Sequence, residues 1–164
     1  LQNLPETIII IFIGFFAVFN LLKYMESGYG NKFYPIITSS MYPNIKPGSL
    51  VYSQKVDSYN VGDIVSYTEK TKEGVNTGKV FTHRIISATE DGMFILKGDA
   101  NINSDPLEIN KNQIQGRVAF ILPLLGYVEV ITKSLPGFLV FILVPCIFLL
   151  KRQFYVVRSY FKSN

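Results

Sequence analysis

The sequence has very few of the residues that crosslink a fold or hold a metal ion. Its 164 residues include one cysteine, Cys146, one histidine, His83, and no tryptophan. A single cysteine excludes an intrachain disulfide, and one cysteine with one histidine cannot complete a zinc site. Cys146 lies within an apolar run, where we expect it to act as a small apolar residue and not as a nucleophile. We therefore predict neither a metal nor a cofactor.

Concentrated positive charge is also missing from the middle of the chain. The protein has 16 Lys and Arg against 12 Asp and Glu, a formal net charge of +4. The basic residues of segment 27–133 are scattered among acids, whereas residues 151–164 hold four basic residues and no acid. The net charge therefore comes largely from this tail, and the sequence has no basic patch of the kind that binds nucleic acid.

Two long runs, residues 7–22 and residues 134–150, carry no charge. A membrane-spanning helix needs about 20 apolar residues. We expect residues 1–26 to form an N-terminal transmembrane anchor and residues 134–150 to form a C-terminal transmembrane helix. The alternatives are a cleavable signal peptide or a core helix for the first run, and a core helix for the second. Only an acid, Glu6, precedes the first run, whereas a signal peptide has basic residues there.

The distribution of basic residues predicts the orientation of these two spans. Because basic segments tend to remain in the cytoplasm, we expect the tail 151–164 inside and the segment 27–133 outside. The predicted localisation is that of an integral membrane protein, in the cell membrane or in the endoplasmic-reticulum membrane of a eukaryote, with the polar domain on the extracytoplasmic side. The sequence begins at Leu1 rather than Met, and we expect further N-terminal residues to precede it.

The segment 27–133 has the pattern of a mainly β domain. Short runs rich in β-branched and aromatic residues alternate with Gly, Pro and Asp, which is typical of an all-β sandwich or barrel. The polar stretch 69–78 is expected to be an exposed hairpin tip. The predicted strands cover residues 50–56, 63–67, 80–86, 93–96, 117–122 and 127–131.

Ser40 is a candidate nucleophile. It lies between a β-like stretch, residues 34–37, and a segment stiffened by Pro43 and Pro47. A lone serine in such a place is more often a turn residue. Rigid segments on both sides would hold the Ser40 side chain in one orientation, as nucleophilic catalysis requires.

His83 is the candidate general base for a serine hydroxyl, because an imidazole changes charge near neutral pH. It lies in a predicted strand, where it would share one face with Phe81 and Ile85. A histidine on such a face is otherwise a core residue with a satisfied hydrogen bond. A polar partner nearby would favour the catalytic interpretation.

The loop 97–105 supplies acids that qualify as that partner. Asp99 and Asp105 are both able to orient the imidazole and stabilise its charged form. The spacing of Asp99 with the asparagines that follow is similar to a calcium loop, but Ser104 and Asn110 occupy positions where an EF-hand needs Gly and Glu. The remaining interpretation is a structural turn rich in Asp and Asn.

Five motifs occur in order over about residues 34–127, and together they resemble the type I signal peptidases. Each motif alone is weak, whereas the ordered set is specific. In the motif that contains His83, the usual bacterial enzymes have a lysine base. The endoplasmic-reticulum and archaeal subgroup, which some Gram-positive bacteria also have, places a histidine there. This chain is therefore similar to the histidine subgroup, although Lys79 is nearby. The motifs are Ser40-Met41-Tyr42-Pro43, Pro47-Gly48-Ser49-Leu50-Val51, Gly62-Asp63-Ile64-Val65, Thr82-His83-Arg84-Ile85 and Lys97-Gly98-Asp99-Ala100-Asn101 with Asp105.

The resemblance implies a signal-peptidase-like β catalytic domain and a role for each motif residue. It implies that Ser40 is the nucleophile, that His83 is the base and that Asp105 orients His83. The hydroxyl of Thr38 would assist the backbone N–H of Ser40 in holding the oxyanion.

The same resemblance implies supporting roles for three more residues. Asp99 would hold the loop in shape or act as a second acid, and Met41 and Pro43 would contact substrate. The family commonly has Gly where this chain has Ser39, which reduces backbone freedom beside the nucleophile.

The implied function is that of a membrane-bound serine endopeptidase that removes signal peptides from secreted preproteins by cutting after small residues. The expected partners are preprotein signal peptides, the lipid bilayer and the secretion translocon or accessory subunits. Two alternatives remain open at this point. One is a non-catalytic membrane homologue that binds processed termini, and the other is a dedicated protease for a narrow set of exported substrates.

Overall fold

The computed structural model describes residues 7, 9–11, 13–15, 17, 30–70 and 75–163. The chain divides into two compact units, Lys23–Val128 on the one hand and Leu1–Leu22 with Glu129–Asn164 on the other. All candidate site residues belong to the unit Lys23–Val128.

This unit contains a six-stranded antiparallel sheet with the strand order β1-β2-β6-β3-β4-β5. Five of the six predicted strand segments overlap β2 to β6. The sheet is a single one, so the expected sandwich or barrel is corrected to one antiparallel sheet. The strands are β1 Lys32–Pro35, β2 Leu50–Gln54, β3 Ile64–Lys70, β4 Asn76–Ala88, β5 Phe94–Lys97 and β6 Ile114–Leu122.

Apolar side chains cover both faces of the sheet because successive residues of a strand point in opposite directions. In β3, Val65 belongs to one core cluster and its neighbour Ile64 packs against the other. The first cluster comprises Tyr59, Val65, Tyr67, Ile85, Leu96, Ile109 and Ile114. The second comprises Ile36, Met41, Ile45 and Val51.

The pairing of β4 leaves part of one edge open. Along one edge β4 pairs with β3, where Val65 lies opposite His83. Along the other edge β5 pairs only with residues 84–88 of β4. Among the described strands, residues 79–83 of β4 therefore have no partner on that side.

The segment after β1 lies against β4, although the two strands are not neighbours in the sheet. In strand order β1 and β4 are separated by β2, β6 and β3. Nevertheless, Ser40, shortly after β1, lies 3.1 Å from His83 of β4, measured from Oγ to Nε2. This contact brings together Ser40, which follows β1, and His83 of β4, the first two residues of the candidate site.

The predicted strand at 127–131 is wrong. These residues belong to helix α1, Leu125–Lys133. The chain turns after β6 at Leu124, which has a φ of 67°, and Glu129 then pairs with Lys133 one helical turn later at 2.8 Å. Val128, Val130 and Ile131 favour a strand locally, but the turn and this pairing override that preference. The expected hairpin tip joins β3 to β4, where Lys70 pairs with Asn76, and residues 71–74 lie outside the described residues.

The prediction of flanking transmembrane helices is also wrong. Within the described residues, no helix is both long enough and apolar enough to cross a membrane. The second apolar run is divided among helix α2, Leu135–Phe138, a π-helical segment, Leu139–Leu143, and the start of helix α3, Val144–Ser163. Much of α3 is formed by the basic tail, so its apolar residues are mixed with cations.

The first apolar run falls largely outside the described residues. Within it, residues 7, 9–11, 13–15 and 17 are helical. The fold is therefore corrected to a small antiparallel sheet with short helices, and the predicted localisation as an integral membrane protein is contradicted by the finding on the helices.

Candidate active site

The loop that carries Ser40 is closed by two hydrogen bonds at its base. The Ile36 N–H donates to the Ser49 carbonyl at 2.8 Å, and the Gly48 N–H donates to the Ile36 carbonyl at 2.7 Å. Gly48 has a φ of 83°, a backbone conformation that favours glycine. Inside the loop, Met41 and Ile45 are fully buried and anchor it to the core. Ser40 is thus presented from a fixed turn.

The loop after β5 contacts the backbone of Ser40. The Ala100 N–H donates to the Ser40 carbonyl oxygen at 2.8 Å. A Cβ at Gly98 would lie 2.7 Å from that same oxygen, too close for any side chain. Glycine at position 98 therefore permits a contact that holds the carbonyl of Ser40 in place.

Ser40, His83 and Asp105 form one hydrogen-bonded chain. Ser40 Oγ lies 3.1 Å from His83 Nε2, and His83 Nδ1 lies 2.6 Å from Asp105 Oδ2. A carboxylate only accepts hydrogen bonds, so Nδ1 carries the ring proton and Nε2 presents a lone pair to the serine hydroxyl. The side chains of His83 and Asp105 are only 10% and 13% exposed, which shields the pair from water.

Thr38 lies beside Ser40. Its Oγ1 is 3.2 Å from Ser40 Oγ. The backbone N–H of Ser40 makes no hydrogen bond to any residue in the described ranges. Two groups able to donate hydrogen bonds, the Ser40 N–H and the Thr38 hydroxyl, therefore lie next to Ser40 Oγ.

Tyr67 is a member of the site that sequence reasoning missed. Its hydroxyl donates to Asp105 Oδ2 at 2.8 Å and lies 3.4 Å from His83 Nδ1. Burial, followed by the nearby charge of Asp105, raises the pKa of the Tyr67 hydroxyl, so it remains a donor. The only sequence signal was its period-two position in a strand, which does not reveal the strand it pairs with.

Asp99 makes no hydrogen bond to His83. Its carboxylate instead joins Arg84 of β4 to Asn44 in the loop that carries Ser40. It receives two hydrogen bonds from Arg84, from Nε at 2.8 Å and from Nη2 at 2.7 Å. The Asn44 side chain, in the loop that carries Ser40, donates to Asp99 Oδ2 at 2.7 Å. Arg84 also donates to the Gly62 carbonyl at 2.8 Å. Sequence reasoning gave no role to Arg84 or Asn44, although Arg84 adjoins His83 in the chain.

The Arg84 hydrogen bonds hold the pKa of the Asp99 carboxyl below its usual value of 3.8. A depressed carboxyl pKa gives stability that is fully present above the unfolded-state value and is lost as pH falls through the folded-state value. We therefore expect the free energy of unfolding of the wild type to fall as pH drops below about 4, and Asp99→Asn to remove part of that fall. Denaturant titrations from pH 7 to strong acid measure the slope.

Asp91→Asn is the control for this prediction, since Asp91 lies exposed in a turn. An Asp99→Asn variant whose acid slope matched that of the wild type would contradict the assignment of this ion pair to acid stability.

The structure places Met41 and Pro43, the two residues expected to contact substrate, outside the groove beside Ser40. Met41 is fully buried in the second core cluster. Pro43 is exposed and follows Tyr42 through a cis peptide bond. Neither of them lines the groove beside Ser40.

The groove has a volume of about 430 Å³ and runs between two stretches of backbone. One wall is formed by residues 34–38 with Ser40, and the other by residues 79–83 of β4. The backbone groups of Ile37 and Thr38 make no hydrogen bond within the described part of the chain. The groove thus has unpaired main-chain groups on one wall and the open edge of β4 on the other.

In the described part of the chain, no group of three or more His, Cys, Asp or Glu is placed to hold a metal ion. Comparison of the sequence with protein-family models and with curated proteins found no match.

Proposed function

We propose that this protein is a serine endopeptidase of the histidine-containing signal peptidase type, with Ser40 as nucleophile, His83 as general base and Asp105 as the acid that orients it. The observation that carries the proposal is the hydrogen-bonded chain from Ser40 Oγ through both ring nitrogens of His83 to Asp105, at 3.1 and 2.6 Å. A nucleophile bonded to a base that is itself oriented by a third group is the arrangement needed for acyl transfer.

In the acylation step, Ser40 Oγ attacks the carbonyl carbon of the scissile peptide bond while its proton passes to His83 Nε2. The C–N bond then breaks, and the proton on Nε2 moves to the leaving amine. An ester joins Ser40 to the N-terminal part of the substrate, and Asp105 stabilises the imidazolium that exists between the two proton transfers.

In the second step, water replaces the amine. It gives a proton to His83 Nε2 and attacks the ester carbonyl, after which the proton returns to Ser40 Oγ and the carboxylic acid product leaves. The Ser40 N–H and the Thr38 hydroxyl would hold the oxyanion in both steps. One such donor is commonly worth about 3–4 kcal/mol of transition-state stabilisation.

The groove supports a peptide substrate in extended conformation. An added strand can bond to the open edge of β4 at residues 79–83 and to the free main-chain groups of Ile37 and Thr38. Such binding recognises the peptide backbone. Selectivity for substrate side chains would come from the residues that line the groove. By the motif resemblance, the substrates would be secreted preproteins cut after small residues.

The test is the cleavage of a synthetic peptide that has an apolar stretch followed by small residues. We expect the purified chain to release two fragments, identified by mass spectrometry, with one new terminus directly after a small residue. A preparation of Ser40→Ala made in parallel excludes a contaminating protease. Binding of the peptide without any cleavage by the wild type would contradict the proposal and favour a non-catalytic protein that binds processed termini.

A further inference from the structure

We propose that Tyr67 is a positioning residue, which fixes the Asp105 carboxylate and thereby keeps the ring proton of His83 on Nδ1. This inference rests on the proposed function and adds a fourth residue to the hydrogen-bonded chain. It is carried by the contact between the Tyr67 hydroxyl and Asp105 Oδ2.

A single oxygen of Asp105 receives two donors. Oδ2 lies 2.6 Å from His83 Nδ1 and 2.8 Å from the Tyr67 hydroxyl. Two donors from different residues at one oxygen limit the rotation of the carboxylate more than one donor does. The direction in which Oδ2 points toward the imidazole is therefore set jointly by the ring and by Tyr67.

Tyr67 is held more firmly than the acid it contacts. Tyr67 is only 4% exposed and lies in β3, which is paired on both edges, with β4 and with β6. Asp105 lies in a loop, tied there by one backbone bond from its N–H to the Leu96 carbonyl at 2.8 Å. Tyr67 is therefore the more rigid of the two residues, and its hydroxyl limits the movement of the Asp105 carboxylate.

The Tyr67 proton also bears on the tautomer of His83. The Tyr67 oxygen is 3.4 Å from Nδ1 but only 2.8 Å from Oδ2, and the carboxylate is the stronger acceptor. A tyrosine proton donated to Nδ1 would require the ring proton on Nε2, where it would block acceptance of the Ser40 proton. Donation to Oδ2 leaves Nδ1 as the donor and Nε2 as the base.

A small cavity adjoins Asp105 and gives its carboxylate room to move. This cavity of about 90 Å³ is lined by Tyr67, Glu69, His83 and Asp105, among others. Without the Tyr67 hydroxyl, the Asp105 carboxylate has room to rotate into this cavity and take Oδ2 away from Nδ1. We expect the loss of one hydroxyl to change the orientation of the imidazole and not the binding of substrate.

The experiment compares Tyr67→Phe with the wild type in peptide cleavage and in ¹⁵N NMR of the imidazole. Because His83 is the only histidine, its ring nitrogens give one unambiguous set of signals. We expect kcat to fall about tenfold with KM unchanged, the loss typical of one hydrogen bond to a charged group. The ring signals are expected to shift from the Nδ1–H tautomer toward a mixture of both tautomers.

Tyr59→Phe is the matched control, since Tyr59 is a buried tyrosine of the same core cluster. It is expected to keep both kcat and the Nδ1–H tautomer, and thermal midpoints show that both variants are folded. A Tyr67→Phe variant with wild-type kcat and an unchanged tautomer would overturn the proposal, as would a change confined to KM. If the wild type cleaves no peptide, the proposed function fails, while the NMR comparison still decides the role of Tyr67.

Discussion

Replacing Ser40 with alanine is expected to abolish peptide cleavage and to leave the chain folded. The Ser40 hydroxyl bonds only to His83 and Thr38 within the described residues, and the loop is held by buried neighbours and by backbone bonds that alanine retains. Loss of the nucleophile should lower kcat by about 10⁴-fold or more, because only oxyanion stabilisation and binding remain. Cleavage rates and thermal midpoints of the two proteins measure this.

His83→Ala is expected to be nearly as damaging, and the double variant no worse than either single one. Groups that act as one unit lose their joint contribution once, so their effects do not multiply. Ser39→Ala is the control, because it removes an exposed hydroxyl adjacent in the chain. If the losses in the double variant multiplied, Ser40 and His83 would not be coupled, and the catalytic assignment would be wrong.

Local sequence patterns were enough to locate most of the strands. Val65 and Tyr67, or Phe81, His83 and Ile85, recur at every second position, which is the spacing of residues that share one face of a strand. The same patterns could not give the strand order, because pairing between distant segments depends on which surfaces cover one another. For this reason the sequence patterns predict a sandwich or a barrel, whereas the structure has a single sheet.

The errors occurred where tertiary context overrides local preference. Residues 127–131 are β-branched, yet they form part of α1 after the turn at Leu124. The apolar run 134–150 is uncharged in sequence, yet it is divided among three helical segments and continues directly into the basic tail. A count of uncharged residues does not reveal such a division.

The candidate site was predicted from motifs and not from geometry. The motif resemblance named Ser40, His83 and Asp105, and the structure brings these three side chains together. Partners such as Tyr67 and Arg84 could not be identified from the sequence alone, because their contacts join positions that are far apart in the chain. Met41 lies in one of these motifs, and the resemblance implies substrate contact for it, whereas its side chain is fully buried in the structure.

Asp105→Asn is expected to lower kcat by about 10³–10⁴-fold with little change in the thermal midpoint. An amide at this position can donate its own proton to Nδ1, which would place the ring proton on Nε2 and remove the lone pair that Ser40 needs. Folding should persist, because the amide nitrogen that replaces Oδ2 can donate its second proton to the Tyr67 hydroxyl oxygen, and the backbone bond to Leu96 is unaffected.

Asp99→Asn is expected to show the opposite pattern. It weakens the paired hydrogen bonds from Arg84 and leaves that cation without its counter-ion, at a cost of about 1–2 kcal/mol in the free energy of unfolding. The catalytic chain itself is untouched, so activity per folded molecule should survive in large part. Measuring kcat and the free energy of unfolding for both variants separates the two roles. A folded but inactive Asp99→Asn beside a nearly normal Asp105→Asn would exchange them, and would make Asp99 the acid on which His83 depends.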